Sequence, residues 1–506
     1  MIQQPTRLLQ RIAQTHLALT LGLLGCSFLL SAQAEAGEKY AVRAGTVHTL
    51  AGEAIPNGVI VIEGGRITAV GSADDVKIPW DAEVLDVPHL EAYPGFVEAH
   101  TSSGMDRPNE SVAVAPFLNV RDSIDPVAFY FEDCLRSGIT TVNVQQGNAC
   151  VIGAVGMVVK PRGMTVEEML VRPRSGLKIS AAPKSGMSRA TQAQTLRAAF
   201  TGLRNHLEDL VQQKRNGNDY SRREALYQGR DLSGERGKGR AMMSKGWTVE
   251  GLELVPRGEV DEKQEPLLDL VEGRVPAWIY CGAPMDVRLA IELASDNGFL
   301  ERTTLVLDDS CWKAADLIAE AGVSVVLDST LVRTETDPKT EEEEEIFIPG
   351  VFKDKGIPFA LSSRNSSTES LWFQAAMCMA HGFTRAEAMA AITATPAKIL
   401  GLEGKVGCLC PGAAGNVLLT SGDPLSVTSF IEYVVIDGNL VYDRSADIRT
   451  QHLLEGVVPE GTESHAEEPE VEEDTRKKAG DEAGDEAGDE AGDEAGDEAG
   501  DDGGSR

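Results

Sequence analysis

The sequence predicts an α/β protein, a (β/α)8 barrel with a discontinuous flanking β-sandwich formed from both chain ends. Eight short apolar segments alternate with helical stretches across the middle of the chain, which is typical of a parallel barrel. Segments with strand-like alternation lie before and after this region. A chain of 506 residues is long enough for one large domain with a smaller one attached.

The N-terminus has the features of an export signal. Arg7 and Arg11 precede an apolar run, Leu17–Leu30, and small-x-small patterns follow it up to Ala36. The run is short for a bilayer span, and no later segment is long and apolar enough to cross one. We therefore expect a signal peptide at residues 1–36 and a periplasmic or extracellular protein. A lipoprotein anchored at Cys26 is the less favoured alternative, because the apolar run continues past that residue.

Residues 37–90 and 403–446 are expected to be the two parts of the β-sandwich. Val59–Gly71 contains two alternating strands around a Gly-Gly turn. Tyr433–Asp443 is a second hairpin, with an Asp-Gly turn.

Residues 91–402 hold the predicted barrel. Its strand candidates are residues 96–100, 139–144, 155–160, 177–180, 276–281, 303–309, 323–328 and 357–363. Residues at about 188–263 interrupt this pattern. They are polar and of mixed charge, with a helical start, and we predict an arm or lid there rather than core.

The net charge of −32 is concentrated towards the C-terminus. Residues 461–506 carry 19 acidic and 4 basic side chains and include five copies of Asp-Glu-Ala-Gly. Repeated glycine opposes helix formation and nothing apolar is available to bury, so we predict a disordered acidic tail. The overall excess of negative charge argues against nucleic acid as a partner.

The stretch Glu91–Gly104, "EAYPGFVEAHTSSG", resembles the lead-in to a metal-binding His-x-His pair. Two imidazoles at i and i+2 would leave the end of a strand on one face. His100 occupies the first position, but the second holds Ser102. Of the eight histidines, His100 alone is placed to bind a metal at the end of a predicted barrel strand.

These features together resemble the metal-dependent amidohydrolase superfamily, specifically its imidazolonepropionase-like branch. The matching motifs are "IEGGRITAVG", "YPGFVEAH", "SGITTVNV" and "ITATPAKILGLEGKVG". The resemblance covers roughly Tyr40 to Asp443. It implies a barrel with a flanking β-sandwich, and hydrolysis of C–N bonds in cyclic amides or amidines by one or two divalent metals that activate water.

The resemblance also implies metal ligands at the ends of the first, fifth, sixth and eighth barrel strands, with a Lys or Glu between. Position by position, the strand-end ligands fall on His100, Ser102, Tyr280, Asp309 and Arg364. Serine is a poor neutral ligand, and a guanidinium has no lone pair for a metal. We therefore expect no bound metal. We further predict that Arg364 pairs with Asp308 or Asp309 in its place.

Other arrangements remain open. His100, Cys281, Asp309 and Cys311 have the ligand types of a zinc site. Cys281 and Cys311 could instead form a disulfide, although buried thiols are the default expectation. Asn148 and Lys160 flank a glycine-rich segment that resembles a family loop near the barrel mouth, and with Asp308 and Cys281 they form the predicted pocket.

Two functions follow from these observations. The favoured one is an exported amidohydrolase-family protein that has lost its metal site and acts as a non-catalytic binder of a small molecule, or as a partner of an active homologue. The alternative is an active C–N hydrolase with a reduced or rearranged site that holds zinc or another divalent metal.

Overall fold

The computed structural model describes residues 39–216, 249, 251–252, 255–327, 330–363 and 371–455. The predicted signal peptide, the acidic tail and Arg364 lie outside these residues. The chain forms two compact units, Met1–Gln451 and His452–Arg506, and only residues 452–455 of the second are described. None of the described helices has the length and apolar character needed to cross a membrane.

The strands, in chain order, are β1 (Lys39–Val47), β2 (Ile55–Glu63), β3 (Arg66–Ser72), β4 (Glu83–Pro94), β5 (Phe96–Thr101), β6 (Ile139–Val144), β7 (Ile152–Val159), β8 (Leu170–Ser180), β9 (Ala277–Cys281), β10 (Thr303–Leu307), β11 (Ser324–Leu327), β12 (Val332–Thr336), β13 (Glu343–Phe347), β14 (Phe359–Leu361), β15 (Val417–Thr420), β16 (Ile431–Ile436) and β17 (Asn439–Asp443).

The helices, in chain order, are α1 (Phe129–Arg136), α2 (Val166–Met169), α3 (Arg189–Asn216), α4 (Glu265–Val271), α5 (Pro284–Asp296), α6 (Ala315–Ala321), α7 (Ile348–Asp354), α8 (Leu371–Ala380), α9 (Arg385–Ala390), α10 (Ala394–Ile399) and α11 (Ile448–Glu455). A 3₁₀ turn, Asp309–Ala314, connects β10 to α6.

The predicted barrel is confirmed. One sheet contains eight strands in the order β14-β11-β10-β9-β8-β7-β6-β5, and they coincide with the eight predicted segments. The first and last strands are joined through side chains, because the Ser362 hydroxyl donates to the carbonyl oxygen of His100 at 2.7 Å. The sheet is therefore nearly closed, with side-chain hydrogen bonds linking β5 to the segment after β14.

One strand of the barrel runs against the expected direction. β7 is antiparallel to both β6 and β8, whereas the other neighbouring strands are parallel. Only residues 145–151 connect β6 to β7. A parallel pair needs a crossover of about a dozen residues or more, so this short connection reverses the chain.

The flanking β unit is built from both chain ends, as predicted, and its strands form a single seven-stranded sheet. The order is β17-β16-β15-β4-β1-β2-β3, and β15 pairs with β4 to join the two ends. The segment 412–415 forms hydrogen bonds to the hairpin turns at both edges of the sheet. Gly415 donates to the carbonyl of Gly65 in the β2–β3 turn and accepts from the amide of Gly438 in the β16–β17 turn.

The helix α3 belongs to the core, and the prediction of an arm or lid is wrong for these residues. Its side chains Leu196, Phe200, Leu203 and Leu207 are buried in the main hydrophobic cluster of the barrel. They recur at intervals of three or four residues, which places them on one helix face. The charged residues of the opposite face obscured this pattern in the sequence.

Candidate functional site

A buried lysine lies at the centre of the polar groups towards the carboxyl end of the barrel strands. Lys178 on β8 is 0% exposed. Its Nζ lies 2.7 Å from His100 Nε2 and 2.7 Å from Asn148 Oδ1. A charged lysine can only donate hydrogen bonds, so in that state both of these atoms accept from it. The Nζ also lies 5.9 Å from the centre of the Tyr280 ring.

The strand β5 and the residue after it supply three polar side chains at alternate positions, 98, 100 and 102. Alternate residues of a strand share a face, and Glu98, His100 and Ser102 are all buried. The His100 amide lies 3.3 Å from Glu98 Oε1, and the amide of Ser363 donates to Glu98 Oε2 at 3.0 Å. Trp278 stacks with the His100 ring at 6.5 Å between centres. Glu98 thus fixes the segment after β14 beside His100.

Tyr280 and the two aspartates after β10 form a second group. The Tyr280 hydroxyl donates to Asp308 Oδ2 at 3.1 Å, and Asp308 Oδ1 accepts from the Asp309 amide at 2.8 Å. Asp308 therefore caps the 3₁₀ turn that follows β10. This capping bond and the bond from Tyr280 use both of the carboxylate oxygens.

Asp309 forms an ion pair with Arg333 on β12. The distance from Asp309 Oδ1 to the Arg333 guanidinium is 2.7 Å, and Arg333 also contacts Glu335 at 3.2 Å. The Asp309 carboxylate, as the largest cause, raises the pKa of Arg333. The positive charge of Arg333 thus compensates the negative charge of Asp309. The predicted partner Arg364 lies outside the described residues, so its pairing stays a prediction.

The alternative zinc set is not assembled in the described part of the chain. No group of three or more His, Cys, Asp or Glu side chains is placed there to hold a metal. Cys281 and Cys311 are free buried thiols, and the Cys311 thiol donates to the carbonyl of Cys281 at 3.1 Å. Burial raises the pKa of Cys281 well above its ordinary value and that of Cys311 to about 12. Both thiols are protonated at neutral pH.

Lys160 does not join Asn148 in one pocket. Asn148 precedes β7 and Lys160 follows it, so they lie at opposite ends of that strand. The register pairs Ile152 with Ile179 and Val159 with Leu170, nine residues apart on β8. β7 has eight residues, and at about 3.3 Å per residue its two ends are about 23 Å apart. Because β7 is antiparallel, Lys160 faces the base of the barrel.

Sequence reasoning gave no role to Glu98, Lys178 or Arg333. Glu98 and Lys178 had a usable signal, since each is a charged residue inside a short apolar strand, "FVEAH" and "LKIS". Charged side chains are almost never fully buried unless they are paired, so such residues predict an internal polar network. Arg333 had no comparable signal, because β12 alternates between charged and neutral residues like many exposed strands.

Three of the side chains at the ligand-equivalent positions are engaged with other protein groups. Nε2 of His100 lies against the Lys178 ammonium, the Tyr280 hydroxyl donates to Asp308, and Asp309 is held by Arg333. Each potential ligand among these three is already bonded to a protein group.

Comparison with known proteins agrees with the fold. Residues 285–441 match the model of the amidohydrolase family. The crystal structure of an amidohydrolase from Thermotoga maritima MSB8 is similar, with a TM-score of 0.61 and 23% identity over 80% of this chain and 100% of that chain. That identity establishes the fold alone. No curated protein matches this chain.

A weaker match is an adenosine deaminase from Xanthomonas campestris with bound zinc, with a TM-score of 0.44 and 15% identity over 83% of this chain and 96% of that chain. A TM-score at this level adds nothing to the assignment. The amidohydrolase family model matches residues 285–441, and the whole fold is a barrel sheet of eight strands with a flanking sheet from both chain ends. In its fold, and in sequence over the matched residues 285–441, this chain is similar to the amidohydrolase superfamily.

Proposed function

We propose that this protein is a non-catalytic member of the superfamily, which binds a small polar molecule at the barrel mouth without a catalytic metal. The observation that carries the proposal is the contact of the Lys178 ammonium with His100 Nε2 and Asn148 Oδ1. The positively charged Lys178 thus lies next to His100, the one histidine found at a ligand-equivalent position.

Charge repulsion supports this proposal. A divalent metal binds an imidazole nitrogen at about 2.1 Å. With Lys178 Nζ 2.7 Å from the same nitrogen, such an ion would lie within a few ångströms of an ammonium. Repulsion between two buried cations at that separation amounts to several kcal/mol at least. The lysine would have to lose its proton or move away before a metal could bind.

The other ligand-equivalent positions support the same proposal. Tyr280 and Ser102 carry hydroxyl groups, and Asp309 is engaged by Arg333. Hydrolysis by this family would need a metal to lower the pKa of a bound water. The side chains present supply hydrogen bonds and charge for binding, and we derive no hydrolytic step from them.

Gln146 supports the binding of a polar molecule. It lies on the same loop as Asn148 and is 2% exposed. Its Oε1 accepts from the Ala154 amide at 2.7 Å, whereas its Nε2 has no hydrogen-bond partner among the described residues. A buried N–H group is normally satisfied, so a bound molecule or water with an acceptor would complete this site.

The test is to measure metal content and hydrolysis on the same preparation. After dialysis we expect less than about half an equivalent of zinc, and no hydrolysis of cyclic amides with or without added zinc or manganese. One or two metals per chain that survive dialysis, together with metal-dependent hydrolysis, would overturn the proposal. Those results would establish the alternative, an active C–N hydrolase with a rearranged site.

A further inference from the structure

A second cleft lies where the base of the barrel meets the flanking sheet, at the end opposite Lys178. Its volume is about 610 Å³. We call it the base cleft. It is lined by the β2–β3 turn, the end of β7, the start of β8, the loop after α10 and the β16–β17 turn. Its lining residues include none of those described at the barrel mouth, so the function proposed above gives this cleft no role.

The base cleft is basic in a strongly acidic chain. Arg66, Lys160 and Lys405 line it, and Asp437 is the one acidic residue among its described lining residues. The whole chain has a net charge of −32. A local excess of positive charge in a concave site focuses the electrostatic field and attracts anions.

Lys160 is the innermost of these cations. Its side chain is 19% exposed and forms an ion pair with Asp437. Burial, followed by the charges of Arg162 and Arg66, lowers the pKa of Lys160. Three cations line the base cleft against this single carboxylate, so positive charge is in excess there.

The frame of the base cleft is held in place from both chain ends. The turn at Gly65 approaches the turn at Asp437 so closely that a Cβ on Gly65 would lie 3.1 Å from the Asp437 Cβ. Gly415 bonds to both turns through its amide and its carbonyl. Because these turns are fixed, the residues that would contact an anion are already in position. Less conformational entropy is then lost on binding.

We propose that the base cleft binds a small oxyanion with two or more negative charges, of the phosphate or polycarboxylate class. Arg66, Lys160 and Lys405 supply the charge that recognises it. The volume exceeds that of a single phosphate ion, so a phosphate ester or a tricarboxylate would fit in it. Binding would join segments from the two chain ends and stabilise the folded protein. This site is independent of the proposed function of the barrel mouth.

The test uses the full chain with two probes, pyrophosphate and citrate, measured by calorimetry and by thermal unfolding. Chloride at equal ionic strength is the reference. Tighter binding of one probe distinguishes the phosphate class from the carboxylate class. In the Arg66→Ala/Lys405→Ala variant we expect the affinity for the preferred probe to fall about tenfold or more, because two exposed charged contacts are lost.

Lys77→Ala is the matched control, because Lys77 is an exposed lysine of the same β unit outside the base cleft. It should bind the preferred probe as the unmodified chain does. Absence of binding beyond the chloride reference, unchanged affinity in the double variant, or an equal loss in Lys77→Ala would each overturn the proposal. Arg66 also donates to the carbonyl of Gly412 at 3.0 Å, so Lys405→Ala, which removes one exposed side chain, is measured alone as a second variant, and unchanged affinity in it would also count against the proposal.

Discussion

Lys178 Nζ lies 2.7 Å from His100 Nε2, and both side chains are buried inside the barrel. The contact joins β8 to β5, which are separated by β6 and β7 in the sheet. It therefore spans the interior of the barrel. The histidine nitrogen that the sequence marked as a metal ligand is a hydrogen-bond acceptor for a lysine in this arrangement.

Replacing Lys178 by Met should destabilise the fold. The change keeps the length of the side chain but leaves His100 Nε2 and Asn148 Oδ1 without this donor. We expect a loss of about 1–3 kcal/mol in the free energy of unfolding, measured by urea denaturation. Lys77→Met, at an exposed position, serves as the control. Equal stability of the two variants would contradict the assigned role of Lys178.

Asp309 should couple energetically to Arg333. A double-mutant cycle with Asp309→Asn and Arg333→Gln isolates the pair. The two side chains are 29% and 34% exposed, so we expect a coupling of about 0.5–1 kcal/mol in the free energy of unfolding. A coupling near zero would show that this ion pair contributes nothing. The same cycle between Asp309 and Arg364 tests the prediction made from the sequence.

Glu387 should make the stability depend on pH in the acidic range. A hydrogen bond from Lys353, followed by hydrogen bonds from Thr384, lowers the pKa of Glu387 from 4.5 to about 2. A carboxyl group with a lowered folded-state pKa contributes stability above its unfolded pKa and loses it as the pH falls through the folded one. Glu387→Gln should therefore flatten the stability profile between about pH 4.5 and 2.

The measurement for Glu387 is the melting temperature of each variant as a function of pH. Glu320→Gln, at an exposed site on α6, is the matched control. It should keep the slope of the unmodified chain in that interval. If Glu387→Gln and the control follow the same curve, then the hydrogen bonds from Lys353 and Thr384 to Glu387 do not contribute to acid stability.

Removal of residues 461–506 should leave the fold intact. The segment has no apolar periodicity, and its repeated acidic residues repel one another. We expect the truncated chain to melt at the same temperature as the full chain by circular dichroism. A clear decrease in melting temperature would mean that the tail packs against the folded protein.

Local sequence patterns were sufficient to predict the eight barrel strands and the two hairpins of the flanking sheet. A short apolar run between turn residues indicates a buried strand wherever its neighbours lie, and all eight barrel strands were found in this way. The hairpins around Gly64-Gly65 and Asp437-Gly438 were equally local, because turn chemistry is encoded by adjacent residues. His100 was identified as a strand-end residue for the same reason.

The tertiary structure decided which residues meet. The reversal of β7 separates Lys160 from Asn148. The residues of β7 alone do not indicate whether the strand runs parallel or antiparallel to its neighbours. Lys178 is 78 residues from His100 in the chain, and Arg333 reaches Asp309 from a separate hairpin. Sequence patterns report the face and burial of a side chain within one element. The partner of a charged group depends on how several elements pack, because burial makes pairing necessary without specifying which distant charge supplies it.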